Sequence, residues 1–238
     1  MNETNQNKIK KPGILGGLGP QATEIFYHEF IRLCQIREKV VYPNMLINSM
    51  NLFNFLNLIN NKEALVELVK EEINKIHNYV DFIASPCNTI HFIIDEMREY
   101  SKVPIIAIHE EVVKEVCKPQ IRKIGILGTK TTVYNNFYQD ELRDYNIVSE
   151  ILDEKNEDKL HSLIFNKILL GKNHDEILHH LLSFIGLLKN KGCQGIILAC
   201  TELPGFIKQK NTDVQIFSST EILAKSVFEN VFGTYQEF

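Results

Sequence analysis

The sequence has no basic excess: 26 Lys and Arg against 30 Asp and Glu leave a formal charge of −4. Neutralising nucleic-acid phosphates takes clustered positive charge, so a general nucleic-acid-binding role is excluded. No apolar run approaches the roughly 18 residues of a bilayer span, so no membrane helix is predicted. The opening MNETNQNKIKK has no apolar core and no small-residue cleavage site, and it reads as a polar tail, not a signal peptide. Five scattered cysteines (34, 87, 117, 193, 200) form no C-x-x-C pair. Neither a disulfide framework nor a zinc site follows from that pattern, and reduced thiols in the cytoplasm are expected. What remains is a globular chain of 238 residues, 44% hydrophobic and 24% charged, with room for one large domain or two smaller ones.

Short, nearly continuous apolar runs alternate with longer helical patterns. Strands are predicted at 12–16, 43–49, 80–85, 104–108, 123–127, 147–151, 194–199 and 214–217. Helices are predicted at 21–37, 61–79, 88–99, 109–117, 132–144, 156–170, 173–190 and 219–231. Continuous apolar runs are what strands covered on both faces show, and alternation with helices means βαβ units. The expected class is α/β: two Rossmann-like domains, each a four-stranded parallel sheet flanked by helices. The division is drawn at 1–117 and 118–238, with a hinge at Cys117-Lys118-Pro119-Gln120 and the last helix free to cross back to the first domain.

The halves repeat one another. GILGGLGPQAT (13–23), FIASPCNTIHF (82–92) and VPIIAIHEE (103–111) recur as GILGTKTTV (125–133), IILACTELPGF (196–206) and VQIFSSTEI (214–222). Gly13 to Gly125 is an offset of 112, Cys87 to Cys200 of 113, and Glu110 to Glu221 of 111. Three landmarks in one order and nearly one register indicate a duplicated domain. Each copy offers one thiol after a strand. Ligands of open parallel sheets bind beyond the strands' carboxyl ends, so loops 16–21, 86–90, 128–132 and 200–204 carry the interest.

Gly17-Leu18-Gly19-Pro20-Gln21-Ala22 fits a dinucleotide loop pattern, but the next strand ends in Ile47-Asn48-Ser49-Met50 without the ribose-binding carboxylate. The plainer reading is a glycine loop, Gly17 and Leu18 foremost, that brings backbone close to a small ligand. A lone cysteine ending a strand is ordinarily a small core residue. Cys87 and Cys200 differ because they are repeat-equivalent, adjoin polar residues and start helical segments, where a thiol pKa is expected to fall. They are the candidate acid/base pair. Asn88, Thr89 and Thr201 are candidate donors to a bound carboxylate, with Thr129 in the matching loop a weaker one, although each could equally cap a helix. Backbone N–H groups after each cysteine are expected to share that task. Thr131 and Lys130 are weaker candidates, and a loop lysine is usually solvated. His91 either orients Cys87 or is structural, and Glu202 is expected to raise the Cys200 pKa. Cys34, Cys117 and Cys193 have no repeat partner and read as inert. His174, His179 and His180 read as surface residues.

These residues resemble the aspartate/glutamate racemase family, the cofactor-independent group with two catalytic cysteines. The resemblance runs over nearly the whole chain and rests on Gly16-Gly17-Leu18-Gly19-Pro20 with Ala22-Thr23, on Pro86-Cys87-Asn88-Thr89 with His91, and on Cys200-Thr201-Glu202-Leu203. It implies pseudo-twofold lobes with the site between them, a homodimer, no cofactor, no metal, and racemisation of an acidic amino acid. By position it makes Cys87 and Cys200 the two thiols, and Asn88, Thr89 and Thr201 the α-carboxylate donors. One departure stands out. Leu169 occupies the place, two residues before Gly171, where aspartate-specific members carry a lysine. Aspartate is the expected substrate, with glutamate or another amino acid open. The competing class is a non-catalytic small-ligand-binding protein with the same two lobes.

Overall fold

The computed structural model describes residues 9–169 and 174–233. The polar tail over 1–8, Gly171 and the His174 side chain lie outside the described residues.

The first sheet holds β1 (Pro12–Gly16), β2 (Leu46–Ser49), β3 (Phe82–Ala84) and β4 (Ile105–Ile106) in the order β2-β1-β3-β4. The second holds β5 (Lys123–Gly128), β6 (Val148–Glu150), β7 (Gly195–Ala199) and β8 (Gln215–Ser218) in the order β6-β5-β7-β8. Every pairing is parallel. The sheets therefore share one topology, as the repeat predicts. The central strands β1 and β7 are buried at every residue, which is why their sequences read as unbroken apolar runs.

The helices are α1 (Pro20–Gln35), α2 (Leu52–Leu58), α3 (Lys62–Ile76), α4 (Ile94–Tyr100), α5 (Ile108–Val116), α6 (Lys130–Tyr134), α7 (Phe137–Asp144), α8 (Glu154–Leu163), α9 (His174–Asn190) and α10 (Ser219–Phe232). Three details depart from the sequence reading. Helix α2 was not predicted. The helix expected over 132–144 is two, parted at Asn136, whose φ of 61° breaks the right-handed run. The helix expected over 88–99 opens as a 3-10 turn, Thr89–Ile93, before α4.

The halves exchange their last helices. Helix α5 follows the first sheet but packs Val112, Val113 and Val116 with Ile124, Ile126 and Ile197 of the second. Helix α10 follows the second sheet and packs Leu223, Val227 and Phe228 with Ile14 of the first sheet and with Phe26 and Phe30 of α1. Phe30 meets Phe228 edge-on at 6.3 Å between centroids, a favourable aromatic geometry. This double crossover holds the carboxyl ends of both sheets against one cleft.

Candidate active site

Order 2-1-3-4 in each sheet puts the switch point between the first and third strands, so the loops after β1, β3, β5 and β7 open on one side. They enclose a cavity of about 500 Å³ lined by Leu18, Gly19, Cys87, Asn88, Thr89, Thr129, Cys200, Thr201 and Glu202, among others. Gly17 lies behind this wall. Its φ of +84° and the 2.3 Å that would separate a Cβ from the Met50 carbonyl oxygen leave room only for glycine. The Thr23 hydroxyl accepts the Gly17 N–H at 2.9 Å and ties the loop to α1.

Both cavity cysteines are free and buried. The expected fall in thiol pKa is not found. Burial pushes Cys87 up to about 12, with the N–H groups of Ile90 and Thr89 acting in the opposite direction and the Glu202 charge adding to the rise. Cys200 is pushed well above the usual thiol range by burial and then by Glu202. The reason is geometric. The turns after the cysteines, Thr89–Ile93 and Leu203–Gly205, are short 3-10 segments with little macrodipole, while desolvation of the thiolate is complete. The expectation for Glu202 holds: the Cys200 thiol donates to its Oε2 at 3.1 Å, and Thr201 Oγ1 donates to the same oxygen at 3.3 Å. Burial in turn raises the Glu202 carboxyl, offset by those donors and by the Gly19 N–H.

The backbone donors expected to bind a carboxylate are therefore turned to the sulfurs: Ile90 and Thr89 act on Cys87, and the Glu202 N–H acts on Cys200. Side chains remain for the carboxylate. Asn88 is fixed across the cleft, its Oδ1 accepting from Tyr138 Oη at 2.6 Å and its Nδ2 donating to Ser219 Oγ at 2.9 Å. Ser219 passes its own proton to the Leu198 carbonyl at 2.7 Å, which sets the direction of the chain and the amide orientation. One Nδ2 hydrogen of Asn88 is left. Thr89, Thr129 and Thr132 form a triangle of hydroxyls with edges of 3.1, 3.2 and 3.0 Å, joining the first lobe to the second.

His91 is structural. Its Nε2 accepts the Ile108 N–H at 3.2 Å, so the proton sits on Nδ1, which donates to the Cys87 carbonyl at 2.8 Å. Burial holds this imidazole neutral, at a pKa of about 3. It anchors the Cys87 backbone, not the sulfur. Thr131 and Lys130 reach the cavity, with the Lys130 ammonium paired to Asp158. Cys34 and Cys193 are packed in hydrophobic cores and Cys117 packs beside one. Among the described residues no cluster of three His, Cys, Asp or Glu side chains converges as a metal site, and no helix is long and apolar enough to cross a membrane.

Sequence reasoning missed Tyr138, Ser219 and Thr132, which orient predicted donors, and the apolar wall from α2 and residues 164–169. Only the apolar spacing in Leu52, Phe55, Leu56 and Ile59 signalled the wall.

Residues 15–227 match the family model for Asp/Glu/Hydantoin racemase. The broad specificity amino-acid racemase RacX of Bacillus subtilis (strain 168) is 29% identical over 222 residues, covering 90% of this chain and 95% of its own. The crystal structure of an aspartate racemase homologue from Pyrococcus horikoshii OT3 aligns with a TM-score of 0.79 at 29% identity, over 93% of this chain and 99% of that one. The Picrophilus torridus aspartate racemase shares the fold, with a TM-score of 0.79 at 22% identity over 96% of each chain.

Proposed function

This chain belongs to the Asp/Glu/Hydantoin racemase family, and on that premise we propose that it is a cofactor-independent amino-acid racemase using Cys87 and Cys200 as a paired acid and base. One observation carries the proposal: repeat-equivalent thiols, one from each half of the chain, are buried and unbridged in the same cavity. The proposed division at 1–117 and 118–238 then assigns one thiol to each lobe, with the last helix of each packed on the other. Assembly as a homodimer in the cytoplasm belongs to the same reading.

In the reaction, the thiolate on one side takes the Cα proton and the thiol on the other side gives its proton to the opposite face. The enantiomer leaves, and the two sulfurs have exchanged protonation states. Net charge and proton count are conserved. Two thiolates facing one small cavity would repel, so a single anion is shared between them. Without ligand, burial keeps both sulfurs protonated. A bound zwitterion brings an ammonium group that lowers a thiol pKa, and Glu202, 3.1 Å from Cys200, is placed to accept the displaced proton. As Cα loses its proton, charge grows on the α-carboxylate. The free Asn88 hydrogen is a donor fixed in place before reaction, and turning one hydroxyl out of the Thr89–Thr129–Thr132 triangle supplies a second. Leu18 and Gly19 close the cavity beside Glu202, and Thr201 holds its carboxylate.

Incubating the protein in deuterium oxide with L- or D-amino acids and no added cofactor tests this reading. Cα deuteration and loss of optical rotation are expected for at least one amino acid. Absence of exchange across a full panel, or racemisation undiminished in Cys87→Ser or Cys200→Ser, refutes it.

A further inference from the structure

We propose that the side-chain end of this cavity accepts a neutral, apolar side chain, so that the substrates are amino acids such as leucine, methionine or norleucine and not aspartate. The proposal rests on the racemase reading and adds the substrate class to it.

Asn88, Thr89, Thr201 and Glu202 follow directly on the two cysteines, and the amino-acid head must lie there for its Cα to sit between the sulfurs. Most of the remaining wall is hydrocarbon, from Leu52, Phe55 and Leu56 of α2 and from Ile164, Phe165 and Leu169 just after α8, and it is broken by Asn60, Lys130, Thr131 and His161. Phe55 is fully packed in the first core, and Leu169 packs against the second while its Cδ2 stands 3.1 Å from where a Gly19 Cβ would be. These side chains are held by their own cores and form a fixed surface. A distal carboxylate set against these hydrocarbon side chains would lose hydration that they cannot replace, which is unfavourable for any ionised group.

Cations do not alter this. Among the described residues, Lys130 is the one Lys or Arg lining the cavity, and its ammonium is already paired with Asp158. His161 lines the cavity too, with its ring 4.5 Å from that of Phe165, and burial and then Lys130 lower its pKa against the opposing Asp158 charge, which disfavours a cationic imidazole there. Among the described residues, Glu202 is the one Asp or Glu lining the cavity, and it adds no cation for a distal carboxylate. An aliphatic chain meets none of these penalties and gains apolar contact. One methylene in a hydrophobic pocket already discriminates by about tenfold or more.

Cα deuterium exchange measured separately for norleucine, methionine, leucine, aspartate, glutamate and lysine, each in both hands, tests the assignment. Norleucine, methionine or leucine should exceed aspartate in kcat/KM by at least about tenfold. Aspartate, glutamate or lysine as the preferred substrate overturns this proposal and leaves the racemase reading standing. No exchange with any of the six overturns both. Leu169→Lys gives a second readout at a half-buried position that should not disturb folding. The ratio of aspartate to norleucine kcat/KM should rise by about tenfold, as a charge-assisted contact is added. An unchanged ratio would show that this wall does not read the side chain.

Discussion

Glu157 on α8 offers a quantitative test of how the cavity's outer wall is held. The residue is completely buried, its Oε1 accepts the Leu152 N–H at 3.2 Å, and its Oε2 has no hydrogen-bond partner. Burial raises its carboxyl from 4.5 to about 7, more than the Leu152 N–H and Lys130 offset. The folded state therefore binds the proton more tightly than the unfolded chain does. Its stabilising contribution is complete below about pH 4.5, falls as pH rises towards 7 and is lost above it. A rise from 4.5 to about 7, at roughly 1.4 kcal/mol per pH unit, sets the full swing at about 3.5 kcal/mol. Glu157→Gln removes the titration while keeping an acceptor for Leu152. Urea unfolding at pH 5 and pH 8 should show the variant close to wild type at the lower pH and up to about 3.5 kcal/mol more stable at the higher one. Parallel pH dependences for the two proteins would mean that Glu157 is solvated or paired in solution, and the reasoning would be refuted. Because Glu157 sits one turn before His161 and two before Phe165, the wild-type wall should also loosen first at alkaline pH.

Two further outcomes follow from the site. Glu202→Gln removes the second-largest cause of the raised Cys200 pKa, so alkylation of Cys200 by iodoacetamide should move to lower pH while racemisation slows; an unmoved alkylation profile would separate Glu202 from the thiol. Asn88→Ala leaves the buried Tyr138 hydroxyl without its acceptor and Ser219 without its donor, and should cost about 1–3 kcal/mol of stability as well as lower kcat/KM. A purely kinetic effect would contradict the role given to that chain of hydrogen bonds.

Much of the fold was legible because burial on both faces writes itself into local sequence. Pro12–Gly16 and Gly195–Ala199 are unbroken apolar strands, predicted to within a residue. The edge strand Leu46–Ser49 is half exposed, and its expected start at 43 ran early. Helix α2 escaped because LFNFLNL is short and its Asn51 cap resembles a loop residue. The site was legible as far as the duplication marked it, which is why both cysteines and their neighbours fall in one cavity. Long-range facts were not. Asn88 meets Ser219 across 131 residues and Tyr138 across 50. The thiol pKa went the other way for a similar reason: a helix start is visible in sequence, whereas the depth of burial that outweighs it is a property of the packed chain.

The two-thiol claim is tested most directly by Cα deuterium exchange in the separate single variants Cys87→Ser and Cys200→Ser, with each enantiomer of the preferred substrate. A serine hydroxyl is too weakly acidic to replace a thiol as acid or base, so neither variant should racemise. Each surviving cysteine still faces one side of Cα, so slow exchange should persist for one hand in one variant and for the opposite hand in the other. Near-wild-type racemisation in either variant, or exchange of the same hand in both, would contradict the account.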